Sequence, residues 1–105
     1  MIIKSNLLVP KGFDAITIGF LIFIRPEAIN NQVLIEHENI HVKQFKRNPL
    51  MPILYLLSCK YRLRYEVEAY KNNIALGRDV FSCAKALTMY KCNLTLEEAV
   101  ELLTK

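Results

Sequence analysis

The stretch NQVLIEHENIHVKQFKR, residues 31–47, predicts a helix that carries two histidines on its inner face. Asn30 or Asn31 can cap the start of this helix, and the pair Asn48-Pro49 ends it. The residues that recur at three- and four-residue spacing are Val33, Leu34, His37, Ile40, His41, Gln44 and Phe45. Two histidines therefore stand where apolar residues are expected.

The segment His37-Glu38-Asn39-Ile40-His41 has the pattern H-E-x-x-H. Histidines four residues apart project from the same helix face and can share one tetrahedral ion. Glu38 lies about 100° around the helix from His37, so it can flank the ion without ligating it. A carboxylate in that place can take a proton from zinc-bound water. The alternative is a solvated helix face with two histidines by accident, which the apolar stripe around them disfavours.

A catalytic zinc site needs a third protein ligand, and both histidines of the chain are already used. Glu66 borders the apolar stripe of a second predicted helix, whereas Glu68 lies about 200° around that helix and is expected to face solvent. Two alternatives stay open: Glu66 could pair with Arg62 instead, or Cys59 could be the third ligand. Among these candidates, Glu66 fits the third position best.

The pattern His37-Glu38-x-x-His41, followed after a helical hairpin by Glu66-x-x-Ala69, resembles the gluzincin metallopeptidases. In that clan two histidines lie on an active-site helix and a glutamate lies on a separate glutamate helix. The chain's size resembles the soluble, single-domain minigluzincins, and the resemblance covers Ile16 to Gly77. It implies one Zn2+ per chain, bound by His37, His41 and Glu66, with Glu38 as the catalytic base. It also implies that residues 15–24 form the edge strand that holds a peptide substrate in extended form.

One position departs from the gluzincin pattern. Many of these enzymes have Asp four residues after the ligand Glu, where this chain has Tyr70. That Asp often orients a histidine ligand through its second ring nitrogen, a role that the Tyr70 hydroxyl or a backbone carbonyl could take. Gln44 is a candidate for the cleft wall and for the same support, with an ordinary helix-end amide as the alternative. The residue that stabilises the oxyanion is left open among Tyr55, Tyr61, Tyr65, Tyr70 and Tyr90.

Strand signals precede the first helix and helix signals follow it. Leu7–Val9 and the run Ala15–Ile24 predict strands, and the second is apolar on both faces, so it is buried on both or lies beneath other elements. The later predicted helices are Ile53–Cys59, Arg62–Leu76 closed by Gly77, a weaker one capped by Asp79 and running to Met89, and one opened by a capping box at Thr95 and running to Thr104. The order predicts an α+β fold. With the resemblance, it predicts a single zincin-like domain over residues 1–105, a short N-terminal sheet followed by the active-site helix, the glutamate helix and C-terminal helices.

The composition is that of one ordinary globular domain, with 52% hydrophobic and 23% charged residues in 105. The net charge of +4 is mild, and no Arg/Lys stripe interleaved with aromatics predicts nucleic-acid binding. The three cysteines show no C-x-x-C spacing, which favours reduced thiols in a cytoplasmic protein. The first residues lack the apolar run of a signal peptide, so none is expected.

The apolar run Leu50–Cys59 has basic residues on both sides and is too short to cross a bilayer, which needs about 20 residues. A peripheral membrane contact therefore stays open, as does a homodimer. The leading expectation is a zinc-dependent endopeptidase that hydrolyses peptide or protein substrates with a metal-activated water. The alternative is a non-catalytic or self-inhibited zinc-binding protein. Such a protein could also act at a membrane surface.

Overall fold

A glycine in the middle of the apolar run at residues 15–24 divides that run into a β-hairpin. The computed structural model describes residues 1–105, and its strands are β1 (Ile2–Lys4), β2 (Ala15–Ile18) and β3 (Leu21–Ile24). Gly19 and Phe20 join β2 to β3, and only Gly19 has a positive φ, of 62°. A two-residue loop with this pattern is a type II′ turn, which suits the twist of a hairpin. The expectation of one strand over residues 15–24 is therefore wrong.

The sheet has the order β1-β3-β2, so β3 is its central strand and β2 lies at an edge. Strand β3 pairs antiparallel with β2 and parallel with β1, in a register that sets Ile22 opposite both Thr17 and Ile2. Three of the four β3 residues are buried, which confirms for this strand the prediction of burial on both faces. The run at residues 15–24 was expected to be an edge strand. Of the two strands that it forms, only β2 lies at an edge of the sheet.

The predicted strand at residues 7–9 does not form. Leu8 donates its N–H to the Ser5 hydroxyl. The Arg25 guanidinium donates hydrogen bonds to several main-chain carbonyl oxygens of the same segment. Arg25 donates to the carbonyl oxygens of Val9 and Pro10 at 3.0 Å and of Phe13 at 2.8 Å. These bonds satisfy the carbonyl oxygens of Val9, Pro10 and Phe13 without a partner strand, because one guanidinium presents five donors. Arg25 thereby fixes the loop that leads into β2.

Helix α1 (Gln32–Arg47) follows the sheet and packs on β2 and β3. The Asn31 side chain accepts from the Leu34 N–H at 3.1 Å, so this asparagine is the cap. Helix α2 (Met51–Leu57) starts two residues earlier than predicted, with Pro52 in its first turn. These elements, up to Pro52, form the first of two compact units of the chain.

The second unit, Ile53–Lys105, contains the remaining helices: α3 (Cys59–Ala75), α4 (Val80–Leu87) and α5 (Leu96–Thr104). Its core consists of buried Tyr70, Cys83, Ala84, Leu87, Ala99 and Leu103. Ser58 caps α3, which therefore begins earlier than Arg62. Gly77 has φ of 103° and donates to the Ile74 carbonyl, while Arg78 donates to the Asn73 carbonyl, which is a Schellman motif and confirms the predicted end.

The predicted caps of the last two helices are also confirmed. The Asp79 carboxylate accepts from the Ser82 N–H at 2.9 Å, and Thr95 and Glu98 bond reciprocally in a capping box. A 3₁₀ turn, Thr88–Tyr90, continues α4 where a single helix to Met89 was expected. Three strands followed by five helices confirm the α+β class, while the single zincin-like domain stays a prediction.

Cys59 and Cys92 form a disulfide between the start of α3 and the loop after the 3₁₀ turn. The expectation of three reduced thiols is therefore wrong, because the fold brings together two cysteines 33 residues apart. Cys83 is free and lies in the helical core, where burial raises the pKa of its thiol. The cytoplasmic location loses the support of reduced thiols and stays a prediction. No helix here has the length and apolar character that crossing a membrane requires.

Candidate metal centre

The inner face of α1 carries the H-E-x-x-H residues into a buried setting. His37 is 3% exposed, and Glu38 and His41 are each 5% exposed. The two imidazole rings lie edge to face with their centroids 4.9 Å apart, as one helical turn between them requires. A solvated helix face with accidental histidines is therefore not the arrangement found.

Gln44 supports His41 from the next turn of the same helix. Its side chain is 1% exposed, and its Oε1 lies 2.8 Å from His41 Nδ1. An amide oxygen at this distance accepts the Nδ1 proton, which leaves the Nε2 lone pair of the neutral imidazole for another partner. Of the two interpretations of Gln44, the geometry favours support of a histidine over an ordinary helix-end amide.

Glu38 is held from the edge strand. The Thr17 hydroxyl, on β2, donates to Glu38 Oε1 at 2.9 Å, and the other carboxylate oxygen lies 4.0 Å from His37 Nε2. The carboxylate thus stands beside the histidine pair with one oxygen turned toward it. Sequence reasoning missed Thr17, although a polar residue alternating with Ile16 and Ile18 in a strand before the helix was a usable signal.

Glu66 lies on α3 and is 2% exposed, whereas Glu68 is exposed, as the helical angle predicted. Glu66 Oε2 accepts a hydrogen bond from the Tyr55 hydroxyl of α2. The two alternatives, Arg62 as the partner of Glu66 and Cys59 as the third ligand, are engaged in other interactions. Arg62 donates to main-chain carbonyl oxygens of Tyr55, Leu56 and Tyr90 at 2.8–2.9 Å. Cys59 is bound in the disulfide, so its assignment as third ligand is wrong.

His37, His41 and Glu66 form a buried group that could hold a metal ion. Each residue offers one ligand atom, and these atoms all lie within 4.8 Å of one another. A tetrahedral ion with ligand distances of about 2.1 Å holds its ligand atoms about 3.4 Å apart. The donor set of two imidazole nitrogens and one carboxylate fits a divalent transition metal.

Two tyrosines lie behind Glu66. The Tyr70 hydroxyl is 3.0 Å from the Tyr90 hydroxyl, and the Tyr70 ring belongs to the helical core. Burial first, and then the negative charge of Glu66, raise the pKa of Tyr90 far above its usual value. Tyr90 is therefore protonated at neutral pH and can donate a hydrogen bond. The expected support of a histidine by Tyr70 stays a prediction.

Comparison with known proteins finds no matching family model, no matching curated protein and no matching solved structure.

Proposed function

We propose that this chain is a zinc-dependent endopeptidase in which His37, His41 and Glu66 bind one Zn2+ and Glu38 is the general base. The observation that carries the proposal is the buried His-His-Glu group with a further carboxylate beside it. Burying four ionisable side chains in one place costs free energy, so such clusters are concentrated at functional sites. The resemblance of the sequence to gluzincins supports the same assignment.

Zinc is the proposed ion because it accepts both imidazole nitrogen and carboxylate oxygen and is often held by three such ligands in hydrolases. When bound in this way, zinc polarises a carbonyl oxygen and lowers the pKa of a bound water to about 7. Three protein ligands leave room for that water. The His41 ring is already oriented to bind the ion, because Gln44 accepts the Nδ1 proton and the Nε2 lone pair stays available for the metal.

Glu38 is proposed to take the proton of the attacking water and to pass it to the leaving amine. The Thr17 hydroxyl donates to Oε1 of this carboxylate, which leaves Oε2 to exchange a proton during the reaction. The same contact ties the base to β2, whose outer edge is the proposed place for the extended substrate.

The metal assignment is tested by zinc content of the purified chain, measured by atomic emission, with two matched substitutions on α3. The wild-type chain is expected to hold one zinc, and Glu66→Gln is expected to lose it because an amide is a weaker ligand. Glu68→Gln changes an exposed glutamate two residues along the same helix and should keep the metal. Equal zinc content in all three proteins would refute the ligand set.

Catalysis is tested separately, with hydrolysis of fluorescently labelled, unfolded casein. Glu38→Gln should keep zinc and lose activity by about a hundredfold or more, because general bases contribute that much. Glu36→Gln, on the exposed face of the same helix, should retain activity. If wild-type protein loaded with zinc cleaves no peptide bond, the peptidase assignment fails while the metal assignment stands.

The burial of the site favours a second candidate, a non-catalytic or self-inhibited zinc-binding protein. All four site residues are at most 5% exposed, so a substrate needs the site to open before it can reach Glu38. A structural zinc site is closed by four protein ligands. Adding azide to the cobalt-substituted protein separates the two candidates, because an exchangeable water position binds the anion and changes the absorption spectrum, whereas a site closed by four protein ligands does not respond.

A further inference from the structure

Residues 53–57 of helix α2 expose large apolar side chains. Ile53 is 56% exposed, Leu56 71% and Leu57 82%, and their spacing of three and four residues puts them on one side of the helix. Leu50, just before the helix, is 61% exposed. Four large apolar side chains in eight residues exceed the scattered exposure that is normal for a soluble domain.

The stretch of the chain that contains this face carries charge of one sign. Between Glu38 and Glu66 the chain contains no acidic residue and six basic ones, so residues 39–65 carry a charge of +6. The rest of the chain has eight basic and ten acidic residues, a charge of −2, and the two values sum to the net charge of +4. Arg62 is turned to main-chain carbonyls, and the exposed cations of the segment are Lys43, Lys46, Arg47, Lys60 and Arg64.

We infer that α2 docks this protein on an anionic membrane surface, with Ile53, Leu56 and Leu57 inserted among the acyl chains and the flanking cations against lipid headgroups. Interfacial helices combine these two features, an apolar face and Lys/Arg at its margins. Each inserted leucine contributes about tenfold in affinity and each cation near an anionic surface about fivefold. Neither feature suffices alone, and α2 has both.

A second copy of the chain is a poorer occupant of the same face. A twofold interface sets each patch against a copy of itself, so Lys60 and Arg64, which closely follow the apolar residues in the chain, would be brought toward the same cations of the other copy. Like charges opposite one another oppose association, and nothing acidic in residues 39–65 relieves them. An anionic bilayer supplies both the apolar layer and the opposite charge. The membrane contact is independent of metal binding and of peptidase activity.

The test is co-sedimentation of the full chain with vesicles of phosphatidylcholine alone and of phosphatidylcholine with phosphatidylglycerol. Binding is expected only to the anionic vesicles and should fall severalfold between low and high salt, because exposed charges are screened. Leu57→Gln should lower affinity about tenfold. The matched control is Leu76→Gln, at an apolar residue 56% exposed at the end of α3, which should leave binding unchanged.

Charge is tested in the same assay with paired substitutions. Lys60→Gln with Arg64→Gln should weaken binding more than tenfold, whereas Lys85→Gln with Lys105→Gln, an equal loss of exposed charge elsewhere, should change it little. Three results would overturn the proposal. They are no binding to anionic vesicles, equal losses in patch and control variants, and a stable dimer in sedimentation velocity that Leu57→Gln dissociates.

Discussion

Replacing Gln44 by Met tests whether a single amide sets the orientation of a histidine ligand. The side chain is 1% exposed and its Oε1 lies 2.8 Å from His41 Nδ1. Methionine keeps the length of the side chain and fills the same volume, but it offers only a weak acceptor to the ring. The substitution therefore removes the hydrogen bond to the ring while leaving the length and volume of the side chain nearly unchanged.

Two magnitudes follow from this change. A buried N–H left without its acceptor costs about 1–3 kcal/mol, so the free energy of unfolding of the metal-free Gln44→Met protein should fall by that amount. An imidazole freed to rotate or change tautomer binds metal less well, and loss of such a supporting contact costs about 10–100-fold in affinity. Gln44→Glu keeps an acceptor at the same place and should retain most of the zinc affinity.

The assay is a competition titration of zinc against a chromophoric chelator, with urea unfolding of the metal-free proteins alongside. Circular dichroism establishes that each variant is folded before its affinity is compared. If Gln44→Met binds zinc as tightly as wild type, the supporting role of Gln44 is refuted. If Gln44→Met and Gln44→Glu weaken binding equally, the amide acts through packing and not through the ring nitrogen.

Three further predictions concern stability. Replacing Cys59 and Cys92 together by Ser should lower the free energy of unfolding by about 3–4 kcal/mol, since the disulfide closes a loop of 33 residues; a reductant should then affect wild type in urea unfolding but not the double variant. Gly19→Ala should cost about 1–2 kcal/mol because φ is 62°, and Gly19→Asn should cost less, in the same measurement. The Thr95 backbone N–H, and then its hydroxyl, hold the pKa of Glu98 below its usual value, so this carboxylate stabilises α5 above its unfolded pKa and ceases to do so as pH falls through its folded pKa. Glu98→Gln should accordingly destabilise more near neutral pH than near pH 3, and no difference between the two pH values would contradict the capping box.

Features that depend on a few neighbouring residues could be predicted from the sequence. The caps at Asn31, Asp79 and Thr95 and the end at Gly77 rest on bonds within one turn of a helix, so the residue types alone indicate them. The burial of Glu66 and the exposure of Glu68 follow from the angle between successive residues of one helix.

Features that depend on distant partners could not be predicted. The loop at residues 5–14 is held by Arg25, which is far along the chain, so its strand-like composition was misleading. The disulfide joins Cys59 to a cysteine 33 residues away, and a count of cysteines carries no information about that distance. Thr17 reaches Glu38 across 21 residues through the pairing of β2 with its neighbours.

The charge of the buried site requires compensation, and a divalent ion bound by His37, His41 and Glu66 would supply it. Glu38 and Glu66 place two carboxylates at 5% and 2% exposure, and the hydroxyls that bond them supply hydrogen bonds without charge. Buried charge is stable only when it is compensated, and one Zn2+ between two neutral imidazoles matches two carboxylates. Two protonated histidines would give the same sum, and zinc binding distinguishes the two cases because a doubly protonated imidazole cannot ligate a metal. Zinc at about a thousand times its dissociation constant should therefore stabilise the wild-type fold by about 4 kcal/mol, and Glu66→Gln should abolish that gain in thermal unfolding.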